Sequence, residues 1–342
     1  MRIRSLQRYA FNVLGETGLR LFAPRYAGLG VIFALHRIIP DGQPHVYPGY
    51  ELAAAFLDRL LGYVRRAGWE IVALGEAVRR LENNAKGKRF ACFTFDDGYA
   101  DNYTLALPIF ERYNAPLSVY ITSGILNRNI FYWWGALEDL VLANDAVEVP
   151  IPGEGTRTFP AHSMQEKLRV FETLDRLCHT YNDRYFPELE AVFHRYGVDA
   201  RRSLDRDAMT LEQARALARH PLVTIGAHGV SHQRLALLSE AEMAGELECG
   251  RRELQGLLGV PVDHLAYPFG GPDACGSREF RAARAAGYRT AVTLRRGNLH
   301  PGHRHHLHAL PRRTFSPDLS QVRNCLYGVE SILRKSPPFV TE

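Results

Sequence analysis

The sequence predicts an α/β fold built on a mainly parallel sheet. Short apolar runs rich in β-forming residues alternate with amphipathic stretches at helical spacing, and no internal repeat or low-complexity linker divides the chain. Its 342 residues are enough for one large α/β domain or two ordinary ones. Periodicity does not decide whether the sheet closes into a barrel or stays open. Both arrangements place functional residues at the C-terminal ends of the strands.

Each strand is predicted from a run of apolar and β-branched residues. The predicted strands are residues 30–35, 69–73, 90–95, 117–122, 222–225, 264–267, 289–294 and 309–313. A helix is predicted over residues 51–66, whose apolar side chains share one face. Two further helices begin with capping boxes, one made by Thr210 with Gln213 and one by Ser239 with Glu242.

Residues 130–205 interrupt this alternation. They contain an aromatic run at 131–134, a turn rich in proline and glycine at 150–155, and helices predicted to begin near Ser163 and Pro187. We interpret this segment as a helical insertion on the α/β domain.

Composition excludes several classes of protein. With 46% hydrophobic and 23% charged residues, the chain is typical of soluble globular proteins and not of disordered, collagenous or coiled-coil ones. The net charge of +5 is concentrated in residues 251–342, which hold 14 Lys and Arg against 7 Asp and Glu. Because these charges form no block, we predict no nucleic-acid partner. Five widely spaced cysteines without a CxxC pair argue against a disulfide framework and favour a reducing compartment.

The N-terminal residues predict neither secretion nor a transmembrane anchor. Charged residues interrupt any signal-peptide apolar stretch, and the longest smooth apolar run, residues 27–35, is far short of the roughly 20 residues that span a bilayer. We therefore predict a cytoplasmic protein. Residues 1–29 are predicted to form a basic amphipathic helical segment. Docking of this segment on its own domain is favoured over peripheral contact with an anionic membrane.

Two motifs carry candidate catalytic chemistry. TFDDG at residues 94–98 ends a predicted strand, and adjacent side chains on an extended backbone point to opposite sides, so Asp96 and Asp97 must have different roles. His228 and His232 follow another predicted strand, and two imidazoles at this spacing can chelate one metal ion. In isolation, an Asp-Asp-Gly turn or a histidine pair is more often structural.

The combination of the two motifs is more specific than either alone. One carboxylate and two imidazoles at strand ends form an Asp/His/His set with a coordination position open to water, which is typical of a catalytic metal site. The other carboxylate, Asp96, would stand beside the metal and accept a proton. A third element, the turn containing Tyr267, Pro268, Phe269 and Gly270, could form a wall of a sugar-sized groove, although aromatic residues near turns more often pack.

In this order, TFDDG at 94–98, HxxSH at 228–232 and YPFG at 267–270 resemble the first three motifs of the polysaccharide deacetylase family, the NodB homology domain of carbohydrate esterase family 4. The resemblance extends over about residues 31–315. It implies a distorted (β/α) barrel with fewer than eight regular units, here with a helical insertion. It also implies a divalent metal, usually Zn²⁺ and sometimes Co²⁺, Ni²⁺ or Fe²⁺, and hydrolysis of acetyl groups on sugars.

By this resemblance, Asp96 corresponds to the catalytic base, and Asp97, His228 and His232 correspond to the metal ligands. The backbone N–H near Tyr267 would help to hold the oxyanion that forms when water attacks the acetyl carbonyl.

The sequence departs from the family pattern at two places. Many members have an arginine that orients the catalytic aspartate, but Ala266 stands at that position, so the arginine is either missing or supplied from elsewhere, with Arg312 and Arg313 as candidates. The late Leu-x-His motif, whose histidine donates a proton to the leaving amine, has no clean match. Of the histidines within residues 300–308, we predict His308 as this acid, because an imidazole pKa near neutrality suits the role.

Three further residues are candidate substrate contacts. His36 ends the first predicted strand and faces the same end of the barrel. A contact with substrate and a hydrogen bond to a neighbouring loop are predicted equally for it. Trp133 and Trp134 could stack on sugar faces or pack the insertion against the barrel. Packing is favoured for one of them.

Taken together, these features predict a metal-dependent carbohydrate N-deacetylase. Residues 1–29 form the N-terminal segment, residues 30–316 the barrel with its insertion at about 130–205, and residues 317–342 a C-terminal helix and tail. The substrate would be an N-acetylated polysaccharide, oligosaccharide, or lipid- or nucleotide-linked sugar. The alternatives are a hydrolase of a non-sugar amide on the same fold and a non-catalytic sugar-binding relative, although no predicted metal ligand is lost.

Overall fold

The computed structural model describes residues 26–43, 46, 50–84 and 87–329. The strands in these residues are β1 (Gly30–Leu35), β2 (Arg37–Ile39), β3 (Glu51–Ala53), β4 (Glu70–Ile71), β5 (Phe90–Phe95), β6 (Leu117–Ile121), β7 (Ala146–Ile151), β8 (Gly155–Pro160), β9 (Val223–Ala227), β10 (His264–Ala266), β11 (Thr290–Arg296) and β12 (Leu310–Arg312). The α-helices are α1 (Ala54–Arg66), α2 (Leu74–Glu82), α3 (Leu107–Arg112), α4 (Ser123–Leu126), α5 (Trp133–Ala143), α6 (Met164–Tyr181), α7 (Phe186–Arg195), α8 (Ala200–Asp207), α9 (Leu211–Arg219), α10 (Glu240–Leu258), α11 (Ser277–Ala285) and α12 (Leu319–Leu326).

Seven parallel strands form a nearly closed barrel in the order β1, β5, β6, β9, β10, β11, β12, and β4 pairs with β5 outside this path. A short seam joins the last strand to the first. Arg313, directly after β12, accepts a hydrogen bond from the Ala34 N–H (3.0 Å) and donates its own N–H to the Ile32 carbonyl (2.8 Å). The predicted α/β barrel is confirmed.

The barrel strands are recognisable in the sequence because they are buried on both faces. Every residue of β1, β5 and β6 is buried, and such strands are near-continuous apolar runs. Two boundaries differ from the prediction. The strand predicted at residues 69–73 is reduced to β4, and the helix predicted over residues 51–66 begins only at Ala54, because Ala53 has extended backbone angles and ends β3.

Both capping boxes predicted from the sequence are confirmed. The Thr210 and Ser239 side chains accept hydrogen bonds from the backbone N–H groups of Gln213 and Glu242, and each of those side chains bonds back to the cap. These contacts satisfy backbone donors that the first turn of a helix leaves unpaired.

Residues 130–205 contain more than helices. Beside α5 to α8, this segment holds an antiparallel hairpin of β7 and β8, whose turn lies in the stretch at 150–155. The hairpin was not predicted, because only β7 alternates buried and exposed residues, whereas β8 is almost wholly exposed. The segment has its own apolar core, which includes Leu137, Leu174 and Phe193.

The predicted terminal segments are described only in part. Residues 1–25 of the predicted N-terminal helix and residues 330–342 of the tail lie outside the described residues, which do include α12. Across the described part of the chain, no helix combines the length and apolar character needed to cross a membrane.

The carboxyl ends of the barrel strands carry the residues of interest. His36 follows β1, Asp96 and Asp97 follow β5, and His228 follows β9. Because parallel strands share one direction, these residues meet at one end of the barrel.

Candidate active site

Asp97, His228 and His232 converge at this end of the barrel. Asp97 Oδ1 lies 3.3 Å from His228 Nε2 and 3.3 Å from His232 Nε2. Their ligand atoms all lie within 4.8 Å of one another, and among the described residues they are the one group of three or more His, Cys, Asp or Glu side chains placed to hold a metal ion. A carboxylate with two imidazoles is a common donor set for a catalytic divalent metal.

The two imidazoles are oriented in different ways. His228 Nδ1 lies 2.7 Å from the Ala266 carbonyl oxygen, so its N–H donates there and the Nε2 lone pair is left for a metal. His232 Nδ1 has no hydrogen-bond partner within the described residues. Its ring instead packs between the rings of Trp134 and Phe269, at centroid distances of 4.6 and 4.8 Å.

Unusual backbone geometry accompanies these residues. Asp97, His232 and Phe269 have positive φ angles of 75°, 56° and 63°. Non-glycine residues rarely adopt this conformation, and such residues cluster at functional sites, where the surrounding structure enforces them.

Glu246 on α10 fixes the turn between the two histidines. Its carboxylate accepts the backbone N–H groups of Val230 (2.9 Å) and Ser231 (3.0 Å) as well as the Ser231 hydroxyl. Glu246 was not predicted as a site residue, because a glutamate on an amphipathic helix gives no local signal that it faces a distant loop.

The charge of Asp97 also suits a cation site. Burial would raise the pKa of the Asp97 carboxyl, but His228 and His232 hold it well below its usual range, so the group is ionised. Its Oδ1 has no hydrogen-bond partner among the residues described, although it faces both imidazoles. A buried, ionised oxygen beside two nitrogen donors fits a divalent metal ion.

Asp96 is held by a buried arginine. Arg312 donates from Nη1 to Asp96 Oδ1 (2.7 Å) and from Nη2 to Oδ2 (2.6 Å), and Nη1 also contacts the Thr94 hydroxyl (3.0 Å). Burial would raise the pKa of the Asp96 carboxyl, but the Arg312 guanidinium holds it below its usual range. Of the two arginines proposed to compensate for Ala266, Arg312 makes this contact, and Arg313 donates to Asn298.

His36 lies beside Asp96. Its Nε2 is 4.0 Å from Asp96 Oδ2, its ring is 4.4 Å from the ring of Tyr50, and its backbone carbonyl accepts a hydrogen bond from Asn102 Nδ2 (2.8 Å). Burial lowers the pKa of the His36 imidazole. The side chain lines the cavity described below.

His308 lies at the other end of the barrel, so its predicted role as general acid is wrong. Its Nε2 is 2.8 Å from the Tyr288 carbonyl oxygen, just before β11, and the residue itself precedes β12. A residue before a parallel strand lies at the end opposite to residues that follow strands. His308 is also not among the residues lining the cavity.

The YPFG turn contributes one side chain to the cavity. Phe269 lines it, whereas Tyr267, Pro268 and Gly270 do not. The Tyr267 N–H itself donates to the Val292 carbonyl (3.2 Å) within the sheet, and an oxyanion contact from another backbone N–H near Tyr267 stays a prediction.

An open cavity of about 810 Å³, including its mouth, joins these residues. Both tryptophans of the insertion line it. Trp133 is 4% exposed and belongs to the core of the insertion, while Trp134 Nε1 donates to the Tyr99 hydroxyl (2.9 Å).

Comparisons with known proteins agree with this geometry. A family model described as Polysaccharide deacetylase matches residues 172–291. The deacetylase PplD of Streptococcus pyogenes, solved in complex with acetate, is 16% identical over 91% of this chain and 98% of its own (TM-score 0.55). IcaB from Ammonifex degensii is 18% identical over 88% and 97% (TM-score 0.57). A de-N-acetylase from Aggregatibacter actinomycetemcomitans is 15% identical over 86% and 99% (TM-score 0.55). No curated protein sequence matches the chain.

The solved structures establish the distorted (β/α) barrel, while the family model adds sequence information. Its matched segment contains His228, His232 and the turn at 267–270, and the TFDDG motif at 94–98 precedes it. The resemblance predicted from the motifs is therefore confirmed: residues 172–291 match the polysaccharide deacetylase family model, and the barrel is the fold of solved deacetylases.

Proposed function

We propose that this protein is a metal-dependent carbohydrate N-deacetylase in which Asp97, His228 and His232 hold a divalent cation. Zn²⁺ suits this donor set best, with Co²⁺, Ni²⁺ or Fe²⁺ as alternatives. One observation carries the proposal. The three ligand side chains and the arginine-bound carboxylate of Asp96 meet at the same cavity.

Asp96 is the general base of this proposal. A divalent metal bound by the three ligands would polarise the acetyl carbonyl and make a water molecule more acidic. Asp96 would accept the proton of the attacking water, because its low pKa keeps it ionised. The two hydrogen bonds from Arg312 fix the carboxylate plane, so no reorientation is needed during the reaction.

His36 replaces His308 as the proposed general acid. It lines the cavity beside Asp96 and can return a proton to the nitrogen of the leaving amine. Because burial lowers the pKa of His36, its imidazole is mainly neutral in the free protein, so it would first have to receive the water proton from Asp96 and then pass that proton to the amine.

The proposal also includes the cellular location of the protein and the group to which the sugar is linked. The excess positive charge of residues 251–342 supports a sugar linked to an anionic group, such as a pyrophosphate-linked precursor of a surface polysaccharide. We propose a cytoplasmic enzyme whose residues 1–29 contact the inner membrane face. Sedimentation with anionic vesicles at low salt tests this contact, and absence of binding there would refute it.

Metal analysis and acetate release test the activity together. We expect about one metal ion per native chain and release of acetate from N-acetylglucosamine oligomers. The His228→Ala/His232→Ala variant should lose both. His264→Ala/His308→Ala is a matched control, because it removes two buried histidines at the other end of the barrel. A native protein that binds no metal, even when zinc or cobalt is supplied, contradicts the proposal.

The same assay separates the two alternatives. A hydrolase of a non-sugar amide would bind metal but release no acetate from N-acetylglucosamine oligomers. A non-catalytic sugar-binding relative would bind the oligomers without turnover.

A further inference from the structure

A second group of charged residues borders the cavity, and we call it the acidic cluster. It consists of Arg37 and the four carboxylates around its guanidinium. Arg37 Nη1 lies 3.5 Å from Glu51 and 3.6 Å from Glu138, Nε lies 3.3 Å from Asp101, and Nη2 lies 3.4 Å from Asp207. Four carboxylates therefore share one guanidinium.

Two of these carboxylates have other partners and do not line the cavity. Asp101 accepts the backbone N–H of Ile38 (2.9 Å). Asp207 accepts two hydrogen bonds from Arg206, each of 2.8 Å, and one from the Tyr132 hydroxyl. Their negative charges are thus compensated within the protein.

The negative charges of Glu51 and Glu138 have weaker partners within the protein, and both side chains line the cavity. They share a single nitrogen of Arg37 at distances too long for strong hydrogen bonds. Glu138 also accepts the backbone N–H of Val46 (3.3 Å). Glu51 is only 6% exposed, and its Oε2 has no hydrogen-bond partner in the described part of the chain. A buried carboxylate oxygen without a partner is costly, so a cationic or hydrogen-bonding ligand at this place would be stabilising.

The chemistry of the cavity wall favours an ammonium group over a metal ion. Within the described residues, Glu51 and Glu138 belong to no group of three side chains able to hold a metal. The aromatic residues Tyr50, Tyr132 and Trp133 line the same cavity. Aromatic faces attract ammonium groups and pack on sugar rings.

We propose that Glu51 and Glu138 bind the ammonium group of an amino sugar. This inference rests on the proposed deacetylase function and adds a substrate class to it. The substrate would be a partly deacetylated oligosaccharide in which a free amine stands on a residue near the acetamide to be hydrolysed. His36 links the two sites, because its side chain contacts Asp96 on one side and Tyr50 on the other.

Kinetics on matched oligosaccharides tests the proposal. One substrate is fully N-acetylated, and the other has the same length but carries one free amine. For the native enzyme we expect kcat/KM to favour the amine-bearing substrate by roughly tenfold, the order of one charge-assisted hydrogen bond. Glu51→Gln and Glu138→Gln should each reduce this preference, because they keep the shape of the side chain but cannot become the carboxylate that pairs with an ammonium group.

Asp175→Asn is the matched control, because Asp175 lines the same cavity but lies on α6, outside the acidic cluster. The preference should survive in this variant. An equal loss in Asp175→Asn would attribute the effect to the general charge of the cavity and overturn the proposal, as would a native enzyme that deacetylates both substrates equally.

Calorimetry gives a second measurement that does not depend on turnover. The glucosamine disaccharide carries no acetyl group, so native protein can be titrated with it directly. We expect binding that weakens in Glu51→Gln and Glu138→Gln, with a cooperative thermal unfolding transition showing that each variant is folded. Equal affinity in all three proteins would overturn the amine site even if deacetylation is observed. Amine binding without any deacetylation would instead refute the proposed function alone.

Discussion

The catalytic residues and the acidic cluster border one cavity, but their charges are balanced differently. Asp96 has a bidentate arginine of its own, and Asp97 faces two imidazoles. In the acidic cluster, four carboxylates surround Arg37, and Oε2 of Glu51 has no hydrogen-bond partner within the described residues.

This difference separates two uses of a buried carboxylate. Where a guanidinium or imidazole compensates the charge inside the protein, the group is fixed in one ionisation state and orientation, as a general base or metal ligand requires. Where negative charge exceeds positive charge, a proton or a cationic ligand must balance it. Mutation of a compensated carboxylate should therefore reduce catalysis. Mutation of an uncompensated one should change the substrate preference and the pH dependence of stability.

The largest expected effect is on turnover in Asp96→Asn. The amide keeps one hydrogen bond to Arg312 but cannot accept a proton, so kcat should fall by up to about 10⁴-fold. Bound metal, measured by elemental analysis, should remain near the native level, because Asp97, His228 and His232 are intact. Loss of metal from this variant would contradict the division of roles between the two aspartates.

Arg312→Met should produce the largest loss of stability. It leaves Asp96 buried without its counter-charge, and breaking a buried ion pair in this way costs about 3–5 kcal/mol. The double variant Arg312→Met/Asp96→Asn is the control, because it removes the buried carboxylate charge together with its partner. Denaturant unfolding should show the smaller loss for the control. Equal losses would mean that the ion pair with Asp96 contributes no more than packing does.

The features that could be predicted correctly depend on residues close together in the sequence. The fully buried strands β1, β5 and β6 produce continuous apolar runs, and the two capping boxes are four-residue patterns. The closing seam at Arg313 and the β7–β8 hairpin were not predicted. The seam depends on pairing between the two ends of the barrel, and the exposed strand β8 has no apolar periodicity.

In the candidate site, too, local features could be predicted and long-range contacts could not. Metal ligands within one motif could be proposed from spacing, but their supports lie far along the chain. Arg312 and Asp96 are 216 residues apart, and the turn at the histidines is held by Glu246 from a helix. His308 was predicted as the acid from its residue type and His36 only as a substrate contact, although their positions relative to the strands differ. His36 follows a strand and His308 precedes one, which places them at opposite ends of the barrel.

These two histidines give a direct comparison. His36→Ala should lower kcat by about 10²-fold, the lower range for a general acid, because it removes the imidazole proposed to donate the proton beside Asp96. His308→Ala, at the other end of the barrel, should change the melting temperature but leave kcat near the native value. Steady-state kinetics on N-acetylglucosamine oligomers would detect the difference. Comparable kcat losses in both variants would rule out His36 as the specific proton donor.

The smallest expected effect is a change in the pH dependence of stability in Glu51→Gln. Burial and the neighbouring Glu138 raise the pKa of Glu51 to about 8, against the opposing effect of Arg37. The folded protein therefore binds a proton that the unfolded chain has already released, so this contribution to stability is present at low pH and is lost as pH rises through about 8.

Between about pH 5.5 and about pH 8.5, native protein should lose on the order of 3 kcal/mol more unfolding free energy than Glu51→Gln, because the pKa of about 8 lies roughly 2.5 units above pH 5.5 and one unit corresponds to about 1.4 kcal/mol. Denaturant unfolding at the two pH values measures this difference. Glu148→Gln, which removes an exposed carboxylate, should follow the native curve. If Glu51→Gln also follows it, Glu51 is ionised throughout and its charge is already balanced in the free protein, which would remove the contrast between the acidic cluster and the catalytic residues.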